Sequence, residues 1–138
     1  MKTNVFADTS WFKGVIDTKD DFYKPANEIL EKLIDNQVTV VTTNFIIDET
    51  FTLIRKRCSK AKAKEFYELI KSFGKGLRLV RVLAMDEKRV WDWFWNDWKN
   101  LSYTDCTSFA VMERLGLKQV ATFDEHFAKA GFEILGSN

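Results

Sequence analysis

The residues best suited to do chemistry in this sequence are four carboxylates: Asp8, Glu49, Asp105 and Asp124. Other catalytic groups are scarce, because the chain has one histidine, His126, and two widely separated cysteines. A Ser-His-Asp triad would depend on His126 and has no G-x-S-x-G turn, and a zinc site would have one imidazole and two distant thiols. The sequence also lacks the G-x-G-x-x-G and P-loop patterns that bind nucleotide phosphates. The chemistry to consider is therefore that of acids.

Glu49 lies on a helix stripe that is otherwise apolar. In NFIIDETFTLIRKR it stands four residues after Phe45 and four before Leu53, which places the three side chains on one face. An ionised carboxylate is unfavourable on such a face unless it is paired. The neighbouring Asp48 falls on a solvated stripe. Glu49 is therefore a candidate site residue, and an ion pair with Lys or Arg is the structural alternative.

The three aspartates have a competing explanation as helix caps. Asp105 lies four residues before Phe109 on an inward stripe, but it also lies in the first turn of its helix, where an anion complements the helix dipole. Asp124 would suit the N-cap of a short helix, and Asp8 would suit a cap as well. Each signal is weak alone, so the prediction depends on whether these side chains meet.

Four carboxylates in one cleft would repel each other strongly in a low dielectric. A hard divalent cation removes that repulsion, and Mg²⁺ in particular takes oxygen ligands and needs only one or two carboxylates directly. Two such ions would balance four acids. A two-metal site suits in-line displacement at phosphorus, because one ion activates the attacking water and the other stabilises the leaving oxygen.

The elements that must position these acids alternate between strands and helices. Strands are predicted from β-branched and apolar runs at 3–7, 38–43, 78–83, 119–123 and 132–135. Helices are predicted from apolar periodicity and caps at 25–36, 44–57, 60–73, 86–99 and 103–115, with a short helical turn after the fourth strand. This alternation predicts a parallel sheet covered by helices on both faces.

Two of the acids follow predicted strands directly. Asp8 comes after the first strand, and Asp124 comes after the QVATF strand. In open α/β sheets, binding sites form outside the carboxyl ends of the strands, often at a topological switch point. Asp8 and Asp124 are therefore expected at one rim of the sheet, although they lie far apart in the sequence.

Composition bounds the protein class. The chain has 138 residues, of which 46% are hydrophobic, and a net charge of +1. This length predicts one domain over 1–138 with a substantial core, and the charge does not by itself indicate a nucleic-acid binder. There is no pattern of a signal peptide or of a membrane span, and cysteine usage suits a reducing compartment. A cytoplasmic protein is expected.

Four segments, in order, resemble the motifs of the PIN domain nucleases, and among them the small toxin ribonucleases of the VapC type. VFADTSWF resembles the opening strand with its first aspartate and hydroxyls, and TNFIIDET resembles the second motif, with Thr43 six residues before Glu49. SYTDCTSFAVMERLG resembles the third, an aspartate that opens a helix ending in Leu-Gly. ATFDEHF resembles the fourth, T-x-D-x-x-F. The resemblance covers nearly the whole chain.

The resemblance implies a three-layer α/β/α sandwich on a central parallel sheet and Mg²⁺- or Mn²⁺-dependent cleavage of RNA. It implies that Asp8, Glu49, Asp105 and Asp124 bind the metal, the same set that stripe and strand positions select. It further implies supporting hydroxyls, a homodimer and a cognate antitoxin. The supporting hydroxyls would be those of Thr9, Ser10 and Thr122.

One departure from the family pattern concerns the position two residues after Asp124. That position is often acidic in the family, whereas here it is His126. The full ligand set of a second metal is therefore open, and His126 is expected at the surface or behind the ligands rather than among them.

The segment RKRCSKAKAK carries a run of basic residues at the end of the Glu49 helix. It would either keep a helix corner solvated or hold RNA phosphates without reading sequence. The candidate RNA-binding residues in it are Arg55, Arg57, Lys60, Lys62 and Lys64.

The segment RVWDWFWNDWKN is rich in tryptophan. At helical spacing, Trp91, Phe94, Trp95 and Trp98 share one stripe, with Trp93 outside it. Packing onto the sheet or a neighbouring helix is the simpler interpretation, and an aromatic face for a partner protein is the alternative.

The prediction is a metal-dependent endoribonuclease, the toxin of a toxin–antitoxin pair. Within the same family, the alternatives are an RNA-processing nuclease without an antitoxin and an inactive binding module. Outside it, a receiver domain would require paired acids after the first strand, and a dehalogenase-type phosphatase would require D-x-D there. Asp8 is followed by Thr9 and Ser10, which fits neither.

Overall fold

A computed structural model describes residues 3–135 of the chain. Its five strands form one sheet in the order β3-β2-β1-β4-β5, and every neighbouring pair is parallel. The strands are β1 (Asn4–Ala7), β2 (Thr39–Thr43), β3 (Leu77–Val80), β4 (Gln119–Ala121) and β5 (Glu133–Ile134).

Helices connect all successive strands and form two groups. The first group, packed together on one face of the sheet, consists of α1 (Thr9–Ile16), α2 (Tyr23–Asp35), α3 (Asn44–Arg57) and α4 (Lys60–Phe73). The second group consists of α5 (Ala84–Arg89), α6 (Trp91–Phe94), α7 (Tyr103–Leu115) and α8 (His126–Lys129). A short 3₁₀ turn, Gly74–Gly76, joins the fourth helix to the third strand. The predicted fold class, a parallel sheet between helical layers, is confirmed. No helix within 3–135 is long and apolar enough to cross a membrane.

The strand order places a topological switch point at the centre of the sheet. From β1 the chain proceeds outward through β2 and β3, then returns to place β4 on the other side of β1. In register, Val5 lies beside Val40, and Phe6 lies beside Val120. The crevice between the carboxyl ends of β1 and β4 is where a ligand site is expected in such a sheet.

The two central strands are buried on both faces, as expected for a covered parallel sheet. On the α7 and α8 side, the rings of Phe6 and Phe109 both contact Phe127. On the other side, Phe12 packs edge-on against Phe66, and both rings are fully buried. The core therefore fixes the strand ends from which the acidic side chains project.

One buried ion pair joins two helices of the second group. Asp86, which is 2% exposed, accepts hydrogen bonds from Arg114 Nε at 2.8 Å and Nη2 at 2.9 Å, and from the Leu83 amide at 2.8 Å. Although burial opposes its ionisation, these contacts hold the pKa of Asp86 below its ordinary value. The pair fixes α5 against α7, and α7 carries Asp105.

The predicted helix at 86–99 is confirmed only in its first part, where two short helices stand in its place, and residues 95–99 are not helical. The helical conformation starts earlier, at Ala84, and ends at Phe94, and the chain then leaves it through a loop with positive φ (64°) at Asn100. Trp93 packs edge-on against Phe109, whereas Trp95 is 73% exposed. The expected tryptophan stripe is therefore not the inward face.

Helix α1 was not predicted. Its residues Trp11, Phe12, Val15 and Ile16 are all buried, so the polar stripe of this short helix is narrow and the segment reads as largely apolar. Gly14 makes its position possible, because a Cβ there would lie 3.0 Å from the Cβ of Ala26 on α2. The last predicted strand, 132–135, is shorter than expected and spans only Glu133–Ile134.

Candidate active site

A cavity of about 580 Å³ opens at the carboxyl ends of the central strands. All four predicted acids line it: Asp8, Glu49, Asp105 and Asp124. They come from the end of β1, from α3, from the first turn of α7 and from the segment after β4. Residues separated by more than a hundred positions thus share one rim.

Asp8 is buried at the switch point and held by hydroxyl groups. Its Oδ2 accepts hydrogen bonds from Thr122 Oγ1 at 2.7 Å and from Ser10 Oγ at 2.9 Å, and the Ser10 amide lies 3.4 Å away. The Asp8 amide donates to the carbonyl of Ala121 at 3.1 Å. Asp8 is therefore the N-cap of α1 and also part of the cavity wall, so the capping and site explanations both apply.

Asp8 has a strongly perturbed pKa. Burial, together with the negative charges of Asp105 and Asp124, raises it from 3.8 to about 7, although the hydroxyls of Thr122 and Ser10 act in the opposite direction. A carboxyl group in this state requires a proton or a cation near neutral pH. Perturbation of this size is typical of functional sites.

Asp105 takes part in a capping box with Ser102. Ser102 Oγ accepts from the Asp105 amide at 3.0 Å, and Asp105 Oδ2 accepts from the Ser102 amide at 3.1 Å. The side chain is nonetheless largely buried, and burial with the charge of Asp124 raises its pKa to about 6 against the effect of the Ser102 hydrogen bonds. The cap thus explains the orientation of Asp105 but not its burial beside a second acid.

Asp124 is held by the backbone around it. Its amide donates to Thr122 Oγ1 at 3.0 Å, and its Oδ1 accepts from the His126 amide at 2.9 Å. This local turn directs the carboxylate toward Asp105 and toward the His126 ring. The expected N-cap is displaced by one residue, because Glu125 is the N-cap of α8 and Asp124 precedes it, although Asp124 still accepts from the first amide of that helix.

His126 is not a surface residue, since it is only 5% exposed. Its Nδ1 lies 2.9 Å from Asp124 Oδ1 and 3.4 Å from Asp105 Oδ2. Burial opposes a charged ring, but the two carboxylates and the Lys99 carbonyl raise the pKa of His126 above its ordinary value. Of the two expected positions, the surface is therefore wrong, and the buried ring lies beside two of the predicted acids.

The tightest ligand group in the described residues consists of Asp105, Asp124 and His126. One ligand atom from each lies within 4.8 Å of the other two. Asp8 and Glu49 line the same cavity without belonging to this compact group. All four acids thus line one cavity, and two of them, Asp105 and Asp124, lie close enough to share one ion.

Glu49 is half-buried at the boundary between two cavities. It lines the acidic cavity and also an adjoining groove of about 560 Å³ on the outer side of α3. Asp48 is exposed, as its polar stripe predicted. Thr50, one residue after Glu49, donates to Thr9 Oγ1 at 3.0 Å. Thr9 therefore connects α1 to α3, whereas Ser10 and Thr122 bond directly to Asp8.

A lysine in the cavity wall was not selected from the sequence. Lys13 Nζ on α1 lies 3.1 Å from Asp17 Oδ2 and 2.9 Å from Asp20 Oδ2, and all three line the acidic cavity. Despite partial burial, the two aspartates raise the pKa of Lys13. One wall of the cavity thus carries the four candidate acids, and another carries Lys13, which forms ion pairs with Asp17 and Asp20.

The candidate RNA-binding residues lie on more than one face. Arg57 lines the groove beside Glu49 together with Lys56, whereas Lys64 lines a separate groove on the other side of the helix pair. Lys62 forms an ion pair with Glu65 at 3.1 Å. The other two candidates are exposed without lining either groove: Arg55 and Lys60.

The donor set of this cavity fits a divalent cation. Two carboxyl groups with raised pKa values, Asp8 and Asp105, face a third acid, and a buried imidazole nitrogen near them makes no hydrogen bond. Carboxylate oxygens suit hard divalent ions, and imidazole suits transition metals. The residues best placed to hold an ion are Asp105, Asp124 and His126, with Asp8 and Glu49 beside them.

The model of the PIN domain family matches residues 5–133 of this chain. The 23S rRNA-specific endonuclease VapC20 of Mycobacterium tuberculosis is 30% identical over 129 residues, which cover 93% of this chain and 95% of that protein. Its crystal structure, described as that of a sarcin-ricin loop cleaving toxin, superposes with a TM-score of 0.78 over the same shares of the two chains.

A more distant likeness supports the fold alone. FitAcB from Neisseria gonorrhoeae is 17% identical, covers 94% of this chain and 95% of its own, and has a TM-score of 0.68.

Proposed function

We propose, from the premise that this chain belongs to the PIN domain family, that it is a metal-dependent endoribonuclease and the toxin of a toxin–antitoxin pair. The whole of 1–138 would act as one nuclease domain. The relative of known activity, VapC20, is an endonuclease specific for 23S rRNA, and its likeness extends over nearly the full length of both chains. Ribosomal RNA is therefore the first substrate to test.

The observation that carries this proposal is the convergence of four acids from four separate segments on one cavity at the switch point. Structural caps explain two of them individually, but caps do not require that their carboxylates meet. Burial that raises the pKa of both Asp8 and Asp105 is unfavourable for folding at neutral pH. Such an arrangement is reasonable where a bound cation compensates it.

In the proposed mechanism, Asp8, Glu49, Asp105 and Asp124 hold Mg²⁺ or Mn²⁺. When bound, the ion supplies an activated water and neutralises charge on the phosphodiester. The chain's own part is orientation: Ser10 and Thr122 fix the Asp8 carboxylate through three hydrogen bonds, counting the Ser10 amide. Ser102 fixes Asp105 in the same way.

RNA would enter along the groove on the outer side of α3. This groove shares Glu49 and Leu53 with the acidic cavity, and Lys56 and Arg57 lie at its far end. The two cations would bind backbone phosphates and would position the strand without reading its bases. Arg55, Lys60 and Lys62 would add to the positive electrostatic potential near this groove, whereas Lys64 lines a different groove.

The proposal includes partners and a compartment. A toxin of this class would be held inactive by an antitoxin encoded nearby, and it would act in the cytoplasm on RNA. We also propose a homodimer, on the family resemblance. Light scattering would test this, because a dimer has twice the 16.1 kDa of one chain. Expression alone, and with the adjacent small gene, would test whether that gene's product prevents growth arrest.

The decisive experiment is cleavage of purified ribosomal RNA and of a mixed RNA pool by untagged protein, with Mg²⁺, with Mn²⁺ and with EDTA. Cleavage should require the metal. Asp8→Asn and Asp105→Asn should each reduce it by about 100-fold or more, because even residues that merely orient metal ligands contribute about 10- to 100-fold.

Asp35→Asn is the matched control, since Asp35 is an exposed aspartate at the end of α2 and lines neither the acidic cavity nor the groove. It should cleave like the unaltered chain. Cleavage that persists in EDTA, or in both active-site variants, would overturn the metal mechanism. Folded protein that cleaves neither substrate and binds Mn²⁺ no better than its Asp105→Asn variant would indicate the inactive binding module instead.

A further inference from the structure

The imidazole of His126 presents a buried nitrogen without a hydrogen-bond partner. Nδ1 is inaccessible to solvent and makes no well-formed hydrogen bond, and it lies 2.9 Å from Asp124 Oδ1 and 3.4 Å from Asp105 Oδ2. Buried polar atoms in native proteins are almost always satisfied, by protein, water or an ion. An orphaned nitrogen that lies beside two carboxylates indicates that a ligand completes the group.

The opposite side of the ring is fixed by the backbone. His126 Nε2 lies 2.7 Å from the carbonyl oxygen of Lys99. Since a carbonyl only accepts, Nε2 carries the hydrogen, and in the neutral ring Nδ1 then has its lone pair free. Histidines that bind metals usually donate their other ring N–H to a carbonyl or carboxylate in this manner.

The loop that replaces the predicted end of the 86–99 helix provides this orientation. Trp98 lies parallel to the imidazole, with the ring planes 10° apart and the centroids separated by 6.3 Å, and the next residue, Lys99, supplies the carbonyl. The irregular segment thus has a definite role in holding His126.

We propose that His126 Nδ1 is a direct metal ligand, so that Asp105, Asp124 and His126 form a mixed oxygen and nitrogen site that prefers a transition-metal ion such as Mn²⁺ to Mg²⁺. This inference rests on the proposed metal-dependent function and refines which ion the site takes. Mg²⁺ is a hard ion that takes oxygen ligands, whereas imidazole favours transition metals.

The competing explanation is an ion pair in which a protonated His126 neutralises the two carboxylates. Both explanations place Nδ1 near oxygen, but they differ once a metal is added. A ligand forms a nitrogen–metal bond, whereas a protonated ring stays outside the coordination shell. The experiment must therefore detect nitrogen at the metal directly.

Electron spin echo envelope modulation of bound Mn²⁺ gives that measurement, because it detects a directly coordinated ¹⁴N. The chain has a single histidine, so untagged protein offers only one imidazole as the source. We expect a strong ¹⁴N coupling in the unaltered protein and none in His126→Gln. Calorimetry should show Mn²⁺ bound more tightly than Mg²⁺, with that preference reduced about tenfold or more in His126→Gln.

His126→Asp provides a stricter test, because it restores an oxygen ligand at the same position. It should bind both ions with no ¹⁴N coupling and with a preference shifted toward Mg²⁺. Glu125→Gln is the control, since the Glu125 side chain is 79% exposed and its loss should change neither coupling nor preference.

The outcomes separate this inference from the proposed function. Mn²⁺ that binds in the acidic site, is lost in Asp105→Asn and shows no ¹⁴N coupling would overturn the ligand role of His126 while leaving a metal-dependent nuclease intact. Equal Mg²⁺ and Mn²⁺ affinities in the unaltered chain would overturn the preference. Absence of any metal binding by the folded protein would overturn both proposals.

Discussion

Replacing Asp8 by asparagine should stabilise the metal-free protein at neutral and alkaline pH. Folding raises the pKa of Asp8 from 3.8 to about 7, so the folded state holds a proton that the unfolded state releases between these values. Stability therefore falls as pH rises through this interval, by about 1.4 kcal/mol per pH unit, and the full effect above pH 7 is about 4 kcal/mol. Between pH 5 and pH 8, Asp8 accounts for about 3 kcal/mol.

Urea unfolding in EDTA at pH 5 and at pH 8 measures this difference. The unaltered chain should lose about 3 kcal/mol more than Asp8→Asn does on going to pH 8. Asparagine has nearly the same shape and can still accept from Thr122 and Ser10, so the variant should fold. Saturating Mn²⁺ should restore the stability of the unaltered chain at pH 8, because the cation favours the ionised carboxylates.

Asp35→Asn is again the control, and it should lose as much stability between pH 5 and pH 8 as the unaltered chain does. Equal losses of stability in the unaltered chain and in Asp8→Asn would refute the reasoning, because they would show that Asp8 ionises normally in the folded protein. A larger loss in Asp8→Asn would reverse the sign of the argument.

Three further changes test the fold and the groove. Arg114→Ala removes the partner of the buried Asp86 carboxylate on α5. Urea unfolding should show that the free energy of unfolding falls by about 3 kcal/mol at pH 7, and by less at low pH, where Asp86 is protonated. Phe66→Ala should lower the free energy of unfolding by about 3–5 kcal/mol, measured in the same way, because the ring is fully buried. Lys56→Gln with Arg57→Gln should reduce the slope of log RNA affinity against log salt by about 1.4, and an unchanged slope would exclude the groove.

Amphipathic elements with clear caps were predictable from the sequence. The helices at 44–57 and 60–73 have the predicted bounds, because each begins at a hydroxyl N-cap, Thr43 or Ser59, and each has one buried face. The failures have a physical cause as well. Helix α1 is buried nearly all round, so its polar stripe is narrow. The 86–99 segment leaves the helical conformation after Phe94, because Asn96 and Asp97, with Asn100 just beyond the segment, favour a loop.

The four acids could be selected from the sequence, because strand ends and stripe positions are local signals that topology brings together. Their detailed environment could not. The Lys13–Asp17 pair has the local i,i+4 spacing, but the place of Lys13 in the cavity wall depends on where α1 lies. The orientation of His126 depends on the Lys99 carbonyl in a segment predicted as helix. Both placements are set by tertiary packing and leave no periodic trace in the sequence.

The hydrogen bond between Thr122 and Asp8 joins residues 114 positions apart, across the pairing of β1 with β4. During synthesis the amino-terminal strand emerges first, and it must wait for nearly the whole chain before its carboxylate acquires this partner. The same delay holds for the cluster of Asp105, Asp124 and His126. A chain released from the ribosome before β4 would therefore lack the assembled acidic cavity, and with it the proposed metal site.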